Sequence, residues 1–204
     1  MNTVDNQLPF VFRASNINQI DKHNVTVDRK FTDINLSGID LNGTELKYIR
    51  LNEAQLMDAG LGENHLNCDL QNNRNLEGFD FSNANLSLAV LRGANLKGAN
   101  FCLAILKRTD LQKANLQEAI LSGSILRDAD LREANLSNAF LLGTNLSYAT
   151  LNNANLSNAH LLGANLSHTD FSDATVDNAR FGWNTGISNR MKFELQLRGA
   201  IFED

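Results

Sequence analysis

Few residues in this sequence have the type and spacing that catalysis or metal binding requires. His160 and His168 fall at different positions of the local repeat, with no carboxylate or cysteine at a metal-ligand spacing. Cys68 and Cys102 are the only two cysteines, too few for a disulfide framework or a zinc site. The sequence contains no Ser-His-Asp arrangement, His-Glu-x-x-His motif or glycine-rich phosphate loop. It therefore predicts no catalytic residue, no metal site and no cofactor, and we do not expect an enzyme.

One acidic series is regular enough to suggest a cation. Asp110, Asp130 and Asp170 recur at multiples of twenty residues. If these positions stack, the repulsion between their carboxylates would be relieved either by Arg92 and Arg132 or by a bound cation. A solvated face is the interpretation that we prefer, and the spacing alone leaves a bound cation open.

All these residues are carried by a five-residue repeat that runs from about residue 31 to residue 181. Counting every fifth position gives 31 sites, and all except Gln71 and Val176 hold Leu or Phe. The residue two places earlier is small. The twenty such positions from Ala84 to Ala179 hold sixteen Ala, three Thr and one Ser.

A period of five residues matches neither regular secondary structure. On an α-helix, five residues advance the chain by about 500°, so successive leucines would point about 140° apart. On a strand, an odd period would send successive leucines to opposite faces. The leucines share one interior only if the chain bends once per unit toward the same side, which is the geometry of a solenoid. The small residue is needed because a narrow tube has no room for two large side chains per unit.

The units resemble those of the pentapeptide-repeat proteins, which read Ala-(Asp or Asn)-Leu-x-x. The resemblance covers about three quarters of the chain and includes Ala84-Asn85-Leu86, Ala94-Asn95-Leu96, Ala99-Asn100-Phe101, Ala129-Asp130-Leu131 and Ala164-Asn165-Leu166. It implies an all-β fold, namely a right-handed quadrilateral β-helix with four repeats, or twenty residues, in each coil.

On this interpretation the chain has three segments. Residues 1–30 lack the repeat and are expected to form an N-terminal cap, residues 31–183 the β-helix, and residues 184–204 a short C-terminal capping helix and tail. The repeat spacing changes at 67–75. We predict a bulge or protruding loop there, although harmless drift at a coil corner explains the change equally well.

The C-terminal segment contains the predicted helix. Ser188 is a suitable N-cap, the helix is expected over 189–198, and Gly199 is suited to end it. One apolar stripe of this helix would seal the tube, which leaves Phe193 and Leu197 on a second stripe. The tail or a second copy of the protein would cover that stripe. Phe193 and Leu197 are therefore candidate oligomerisation residues.

Stacked coils would place outward residues in vertical ladders, and one side of the rod is apolar. The candidate partner-binding residues on that side and just around its corner are Ile105, Ile120, Ile125, Phe140, Leu142 and Leu162. We predict that they form one exposed patch, which usually indicates binding. Contacts between coils that stabilise the rod without a partner remain an equal alternative. Another side carries asparagines whose amides are expected to bond to one another: Asn95, Asn115, Asn135 and Asn155.

The composition argues against several functional classes. The net charge is −5 and the pI about 5.3, so we expect no nucleic-acid partner. No apolar run approaches the roughly 18 residues of a membrane span, and the N-terminus does not resemble a signal peptide. We therefore expect no membrane contact and a cytoplasmic location. A filled tube offers no cleft for a small-molecule substrate.

A protein-interaction or scaffold role, with an unknown protein partner and possibly a homodimer, is the predicted function. The family resemblance implies one alternative, a DNA mimic that binds a DNA-handling enzyme such as gyrase. The modest charge, the Asn in place of Asp in most repeats, and the Lys and Arg residues over 92–132 count against it.

Overall fold

The computed structural model describes residues 76–203 and, for the backbone alone, the strands β1 (Arg29–Lys30) and β2 (Ile49–Arg50). The loop predicted at 67–75 lies outside the described residues, as does the N-terminal cap predicted for 1–30 apart from β1. The repeats before residue 76 are described only at β1 and β2.

Coils of twenty residues are stacked along the described chain. In each five-residue unit, the residue before the central Leu or Phe forms a parallel bridge with its equivalent twenty residues on, from Asp80↔Asn100 to Asn165↔Thr185. The parallel pair β1 and β2 has the same offset of twenty residues. Four units therefore complete one turn, and the fold is a β-solenoid with four sides.

We call the four sides faces A to D in chain order. Their central residues in one representative coil are Leu121, Leu126, Leu131 and Leu136, respectively. Face A is opposite face C. Residues at equivalent positions of successive coils form ladders, with steps of about 4.8 Å along the rod.

A tight turn follows every central residue from Leu76 to Val176. The N–H of the next small residue donates to the carbonyl of the central one, as Ala139 N does to Leu136 O at 3.0 Å. The third residue of the turn has a positive φ at every corner from Gly78 to Trp183, which defines a type II turn. Sixteen of these corner residues are not glycine, although the conformation costs other residues about 1–2 kcal/mol. The inter-coil hydrogen bonds therefore impose the turn on almost any residue.

The interior holds the central residue of each unit, which is Leu or Phe except at Val176, and the residue two places before it, which is small except at Phe79. From Leu76 to Phe181 these side chains are at most 8% exposed. Buried threonines donate to a carbonyl of the coil below, as Thr144 Oγ1 does to Leu121 O at 2.8 Å. Thr therefore replaces Ala in the core without leaving an unpaired hydroxyl.

Asn and Asp before the central residue satisfy a backbone donor of the coil. The side-chain Oδ1 accepts the N–H two residues on, as Asn145 does from Ser147 at 3.0 Å. On face D the amides also bond to one another. Asn115, Asn135 and Asn155 each donate to the amide one coil below at 3.1–3.3 Å, so the amide ladder predicted from the sequence is present.

The last coil leads into helix α1 (Asn189–Leu197), which is one residue shorter than predicted and lies between strands β3 (Arg180–Phe181) and β4 (Ile201–Phe202). Strands β3 and β4 pair in parallel. Ser188 Oγ caps α1 by accepting the N–H of Met191 at 3.1 Å. Within the described residues, no helix is both long and apolar enough to cross a membrane.

Helix α1 ends in a Schellman motif, because the N–H of Ala200 donates to Leu195 O at 3.1 Å and that of Gly199 to Gln196 O at 3.0 Å. Gly199 has a φ of 90°, as this motif requires.

Two side chains of this segment contact the last coil. Leu195 is fully buried in the core of the rod. Arg198 Nη1 donates to Phe171 O at 2.9 Å and to Ala174 O at 3.1 Å. The segment after the repeats is therefore packed on the end of the solenoid.

Candidate functional site

Face A carries a ladder that is polar at both ends and apolar in the middle. Its members, joined in series by parallel bridges, are Asp80, Asn100, Ile120, Phe140, His160 and Arg180. Ile120 and Phe140 are 40% and 42% exposed. The Phe140 and His160 rings stack with their centroids 5.2 Å apart.

More apolar side chains follow at the corner from face A to face B. Leu142 is exposed, and Leu162, one coil above it, is half-buried. Ile105 and Ile125 lie just past the corner, where they are bridged to each other and half-buried. The structure therefore places all six candidate partner-binding residues on adjacent ladders of one edge.

The sequence prediction omits Leu103, an apolar side chain of this edge that is 59% exposed. Its Cδ2 lies over Gly123, where a Cβ would be only 2.8 Å away. Leu103 occupies a corner position, and the same corner holds Gly123, Gly143 and Gly163 in the next three coils. A leucine in a series of glycines was the available signal. We call Leu103 and the six candidate residues the apolar strip.

The apolar strip gives up hydrogen bonds that other units make. Asn100 Oδ1 accepts the N–H of Cys102 at 3.0 Å. Phe140 offers no acceptor, so the N–H of Leu142 has none among residues 76–203, and the same holds one coil below at Ile120. Each such bond contributes about 0.5–1.5 kcal/mol. The strip therefore lacks hydrogen bonds that asparagine would supply at these two positions.

The upper part of the strip lies in a part of the rod without charged side chains. No Asp, Glu, Lys or Arg occurs between Ala134 and Thr169, a stretch of almost two coils. An uncharged surface suits apolar contact, because no ion loses its hydration when the surface is buried.

Arginine pairs with two of the three carboxylates in the acidic ladder of face C, whereas Asp170 accepts from Ser172 and Asn152. Arg92 Nη2 lies 2.9 Å from Asp110 Oδ2, and Arg132 Nη2 lies 2.6 Å from Asp130 Oδ2. Burial tends to raise the pKa of Asp130, but the hydrogen bonds and charge of Arg132 outweigh it and hold the pKa below its usual value. Among the described residues, no three His, Cys, Asp or Glu side chains are grouped to hold a metal ion.

Both histidines of the described coils stack on an aromatic ring one coil below. His160 stacks on Phe140, and His168 on Tyr148 with the ring centroids 4.7 Å apart. The guanidinium of Arg127 lies 5.4 Å from the Tyr148 centroid. Tyr148, which the sequence analysis did not select, is exposed at the corner between faces B and C.

The candidate oligomerisation residues lie on the outer side of α1. Phe193 and Leu197 are 60% and 72% exposed, so the C-terminal tail does not cover them. The tail packs on the rod instead, with the rings of Phe202 and Phe181 stacked at 5.0 Å.

These features define a β-solenoid with a filled interior, whose outward ladders are the surfaces available for recognition. A model of the pentapeptide repeats matches the chain in eight copies over residues 67–108, 84–123, 109–147, 124–161 and 144–182. Together the matches span more than half of the sequence. The chain belongs to the pentapeptide-repeat family, which confirms the resemblance seen in its sequence.

Solved structures with a similar fold include two trypsin-treated variants of QnrB1, a plasmid-mediated fluoroquinolone resistance protein. One is 16% identical with a TM-score of 0.54, covering 87% of this chain and 81% of that chain. The other is 18% identical with a TM-score of 0.52, covering 84% and 86%. HetL from the cyanobacterium Nostoc, a pentapeptide repeat protein involved in heterocyst differentiation regulation, is 27% identical over 75% of this chain and 76% of that chain, with a TM-score of 0.32. No curated protein matches the chain. The likeness to QnrB1 supports the fold alone.

Proposed function

We propose that this protein is a non-enzymatic scaffold that binds another protein through the apolar strip. The observation that carries the proposal is an exposed apolar surface on a rigid backbone. Phe140 N donates to Ala119 O of the coil below at 2.9 Å, and Leu141 N donates to His160 O of the coil above at 2.7 Å, so hydrogen bonds hold the strand on both sides. A surface that is already ordered loses little conformational entropy on binding.

The filled interior supports a role without catalysis. An active site needs a concave pocket in which acid, base or nucleophilic groups converge. The described coils enclose Leu, Phe and Ala side chains instead. The remaining polar chemistry lies on convex outer faces, so the protein needs no cofactor in this role.

The domain organisation belongs to the same proposal. Residues 31–183 form a right-handed β-helix, closed by a cap at 1–30 and by the segment 184–204. The contacts of Leu195 and Arg198 with the last coil support the C-terminal cap. We also propose a cytoplasmic location, because two cysteines are too few for the disulfide framework that is typical of small secreted proteins. Phe193 and Leu197 are proposed as a separate contact, through which two copies meet at their C-terminal ends.

The interaction role is tested by affinity capture from the host with matched variants. The strip variant combines Phe140→Asn with Leu142→Ser, and the control is Tyr148→Asn, which changes an equally exposed side chain at another corner. We expect wild type and control to retain the same partner and the strip variant to lose it. A purified partner that binds all three proteins equally would contradict the proposal.

A DNA mimic that acts on a DNA-handling enzyme is the second candidate. The acidic residues Asp170, Asp173 and Asp177 favour it, because no Lys or Arg occurs from Ala134 through Ala179. The arginine pairs of face C count against it. A supercoiling assay with DNA gyrase, with and without a fluoroquinolone, distinguishes the candidates, since a scaffold leaves gyrase activity unchanged under both conditions.

A further inference from the structure

The exposed ladder of face A is complementary to itself when it is reversed. Its members in upward order are Asp80, Asn100, Ile120, Phe140, His160 and Arg180. Consider a second copy related to the first by a 180° rotation. The rotation axis is perpendicular to the rod, lies in the plane of the contact between the two A faces, and passes midway between the levels of Ile120 and Phe140. Each Ile120 then faces a Phe140, each Asn100 a His160 and each Asp80 an Arg180. We propose that the apolar strip binds a second copy of this chain, with face A against face A and the two rods antiparallel.

This proposal rests on the interaction role of the strip and names its partner. A two-fold interface must be self-complementary, because the same surface is used by both copies. The centre of the ladder meets that condition, because the two exposed apolar side chains, Ile120 and Phe140, face each other across the axis.

Charge complementarity selects the antiparallel orientation. In the described coils, Asp80 and Arg180 are the charged members of the ladder, at opposite ends. Asp80 accepts from Ser82 N and Asn100 Nδ2 through Oδ1, and Arg180 Nε donates to Glu203. A guanidinium has five N–H donors, so Arg180 keeps others for the carboxylate of the second copy. In parallel rods, like charges would lie at the same level instead.

The corner between faces A and B is also complementary to itself in shape under the same two-fold axis. Its members in upward order are Asn83, Leu103, Gly123, Gly143, Gly163 and Trp183. The axis therefore sets the projecting Leu103 against Gly163 of the second copy, and the exposed Trp183 against Asn83. A Cβ at Gly143 would meet nothing within 4 Å, and one at Gly163 would only touch the backbone of Gly143 at 3.8 Å. The turn itself tolerates large residues, since sixteen other corners hold a side chain. The glycines therefore leave a shelf that receives Leu103.

The size of the surface sets the expected strength. Six levels about 4.8 Å apart give a ladder about 24 Å long, and a side of five residues is about 15 Å wide. The contact then covers about 360 Å² per copy, below the roughly 800 Å² of a standard interface. We therefore expect a dimer that forms only at high protein concentration.

Cross-linking between two single-cysteine variants tests the arrangement. In a background with Cys68→Ser and Cys102→Ser, one copy carries Asn100→Cys and a second, size-tagged copy carries His160→Cys. These positions face each other only in the antiparallel pair, and facing sheets are about 10 Å apart, the span chosen for a bis-maleimide. We expect a cross-linked heterodimer in the mixture and little product from either variant alone, because identical positions are three levels apart.

Two controls locate the contact. A mixture of Val90→Cys and Thr150→Cys has the same separation of three levels on the opposite face C and is expected to give no product. Adding Phe193→Ser and Leu197→Ser to the face A pair is expected to leave the product unchanged.

A separate measurement concerns the strength of the dimer. Phe140→Asn is expected to raise the dimer dissociation constant, measured by sedimentation equilibrium, by at least about tenfold.

The outcomes separate this inference from the proposed function. If the face A mixture gives no more product than the face C mixture, or if Asn100→Cys alone gives as much, the antiparallel dimer is excluded. Loss of a different partner in the strip variant would then still support the interaction role. Failure of both assays would overturn both proposals.

Discussion

Gly186 lies directly against the backbone of Ser167 in the coil below. A Cβ at residue 186 would be 2.3 Å from Ser167 N and 2.3 Å from Ser167 Cα. The contact falls where the last coil gives way to α1, so the path of the chain into the helix depends on the absence of a side chain.

We predict that Gly186→Ala destabilises this junction by more than about 2 kcal/mol, because the neighbouring backbone has to move. Gly143→Ala is the matched control, since its φ of 63° is also positive but a Cβ there meets nothing within 4 Å. The control should cost about 1–2 kcal/mol at most. Amide hydrogen exchange of α1 measures the difference, and equal protection in the two variants would contradict the prediction.

The second prediction compares two adjacent leucines. Leu141 is fully buried and Leu142 is exposed. Leu141→Ala should lower the free energy of unfolding by about 2–5 kcal/mol through the cavity it leaves, whereas Leu142→Ala should change it by about 0.5 kcal/mol or less. Urea denaturation followed by circular dichroism checks both values. A similar loss in the two variants would mean that the exposed leucine also supports the rod.

The third prediction concerns the hydrogen bonds that the strip lacks. Ile120→Asn introduces an acceptor for the N–H of Ser122 and an amide partner for Asn100. We expect this variant to be more stable than Ile120→Ala by about 0.5–1.5 kcal/mol, the contribution of a typical hydrogen bond. The measurement is the unfolding free energy of the two variants side by side. If Ile120→Ala is as stable as Ile120→Asn, the missing hydrogen bonds do not reduce the stability of the protein.

The fourth prediction is a dependence on acid. The pKa of Asp130 is lowered in the folded protein, where hydrogen bonds and charge from Arg132 outweigh the effect of burial. Its contribution to stability is complete above the ordinary pKa of about 3.9 and is lost as the pH falls through the lower folded value. Asp130→Asn should therefore lose less stability than wild type below about pH 4. The urea midpoint as a function of pH tests this, with Asp173→Asn as an exposed control.

The fifth prediction tests the cap. Arg198→Met keeps the aliphatic chain but removes the hydrogen bonds to Phe171 O and Ala174 O. In a solenoid each coil is stabilised by its neighbours, so hydrogen exchange should accelerate in α1 and the last coil and not near Phe101. Arg190→Met is the control, because Arg190 is exposed and bonds only to Glu194 among the described residues. Uniform acceleration along the rod would contradict local capping.

The sequence predicted the coils because one rule repeats from Leu76 to Phe181, where Val176 is the one central residue that is neither Leu nor Phe. Leu or Phe at every fifth position, with a small residue two places before it, admits one kind of interior. The exceptions followed the same rule: Thr144 replaces alanine because its hydroxyl reaches Leu121 O at 2.8 Å. The six candidate residues were identified for the same reason, since a period of twenty places them on adjacent ladders.

The corners could not be predicted in the same way. Leu103 and Tyr148 project from positions where the turn accepts almost any residue, so the repeat carries no information about them. Their direction depends on side-chain contacts with the next coil, such as Leu103 over Gly123 and the stacking of Tyr148 with His168. The pairing of Arg132 with Asp130 was one of two options in the sequence, and only the side-chain geometry distinguishes them.

Because four units complete one turn, the position of a residue within each period of twenty determines the direction in which it points from the axis of the rod. A deletion of twenty residues would shorten the rod by one coil and leave every ladder aligned. A deletion of five residues would preserve the interior equally well. It would nevertheless rotate all coils after the deletion by a quarter turn relative to those before it, so every outer ladder would be interrupted there. Changes in length that the core cannot detect would thus still disconnect whatever the outer columns recognise.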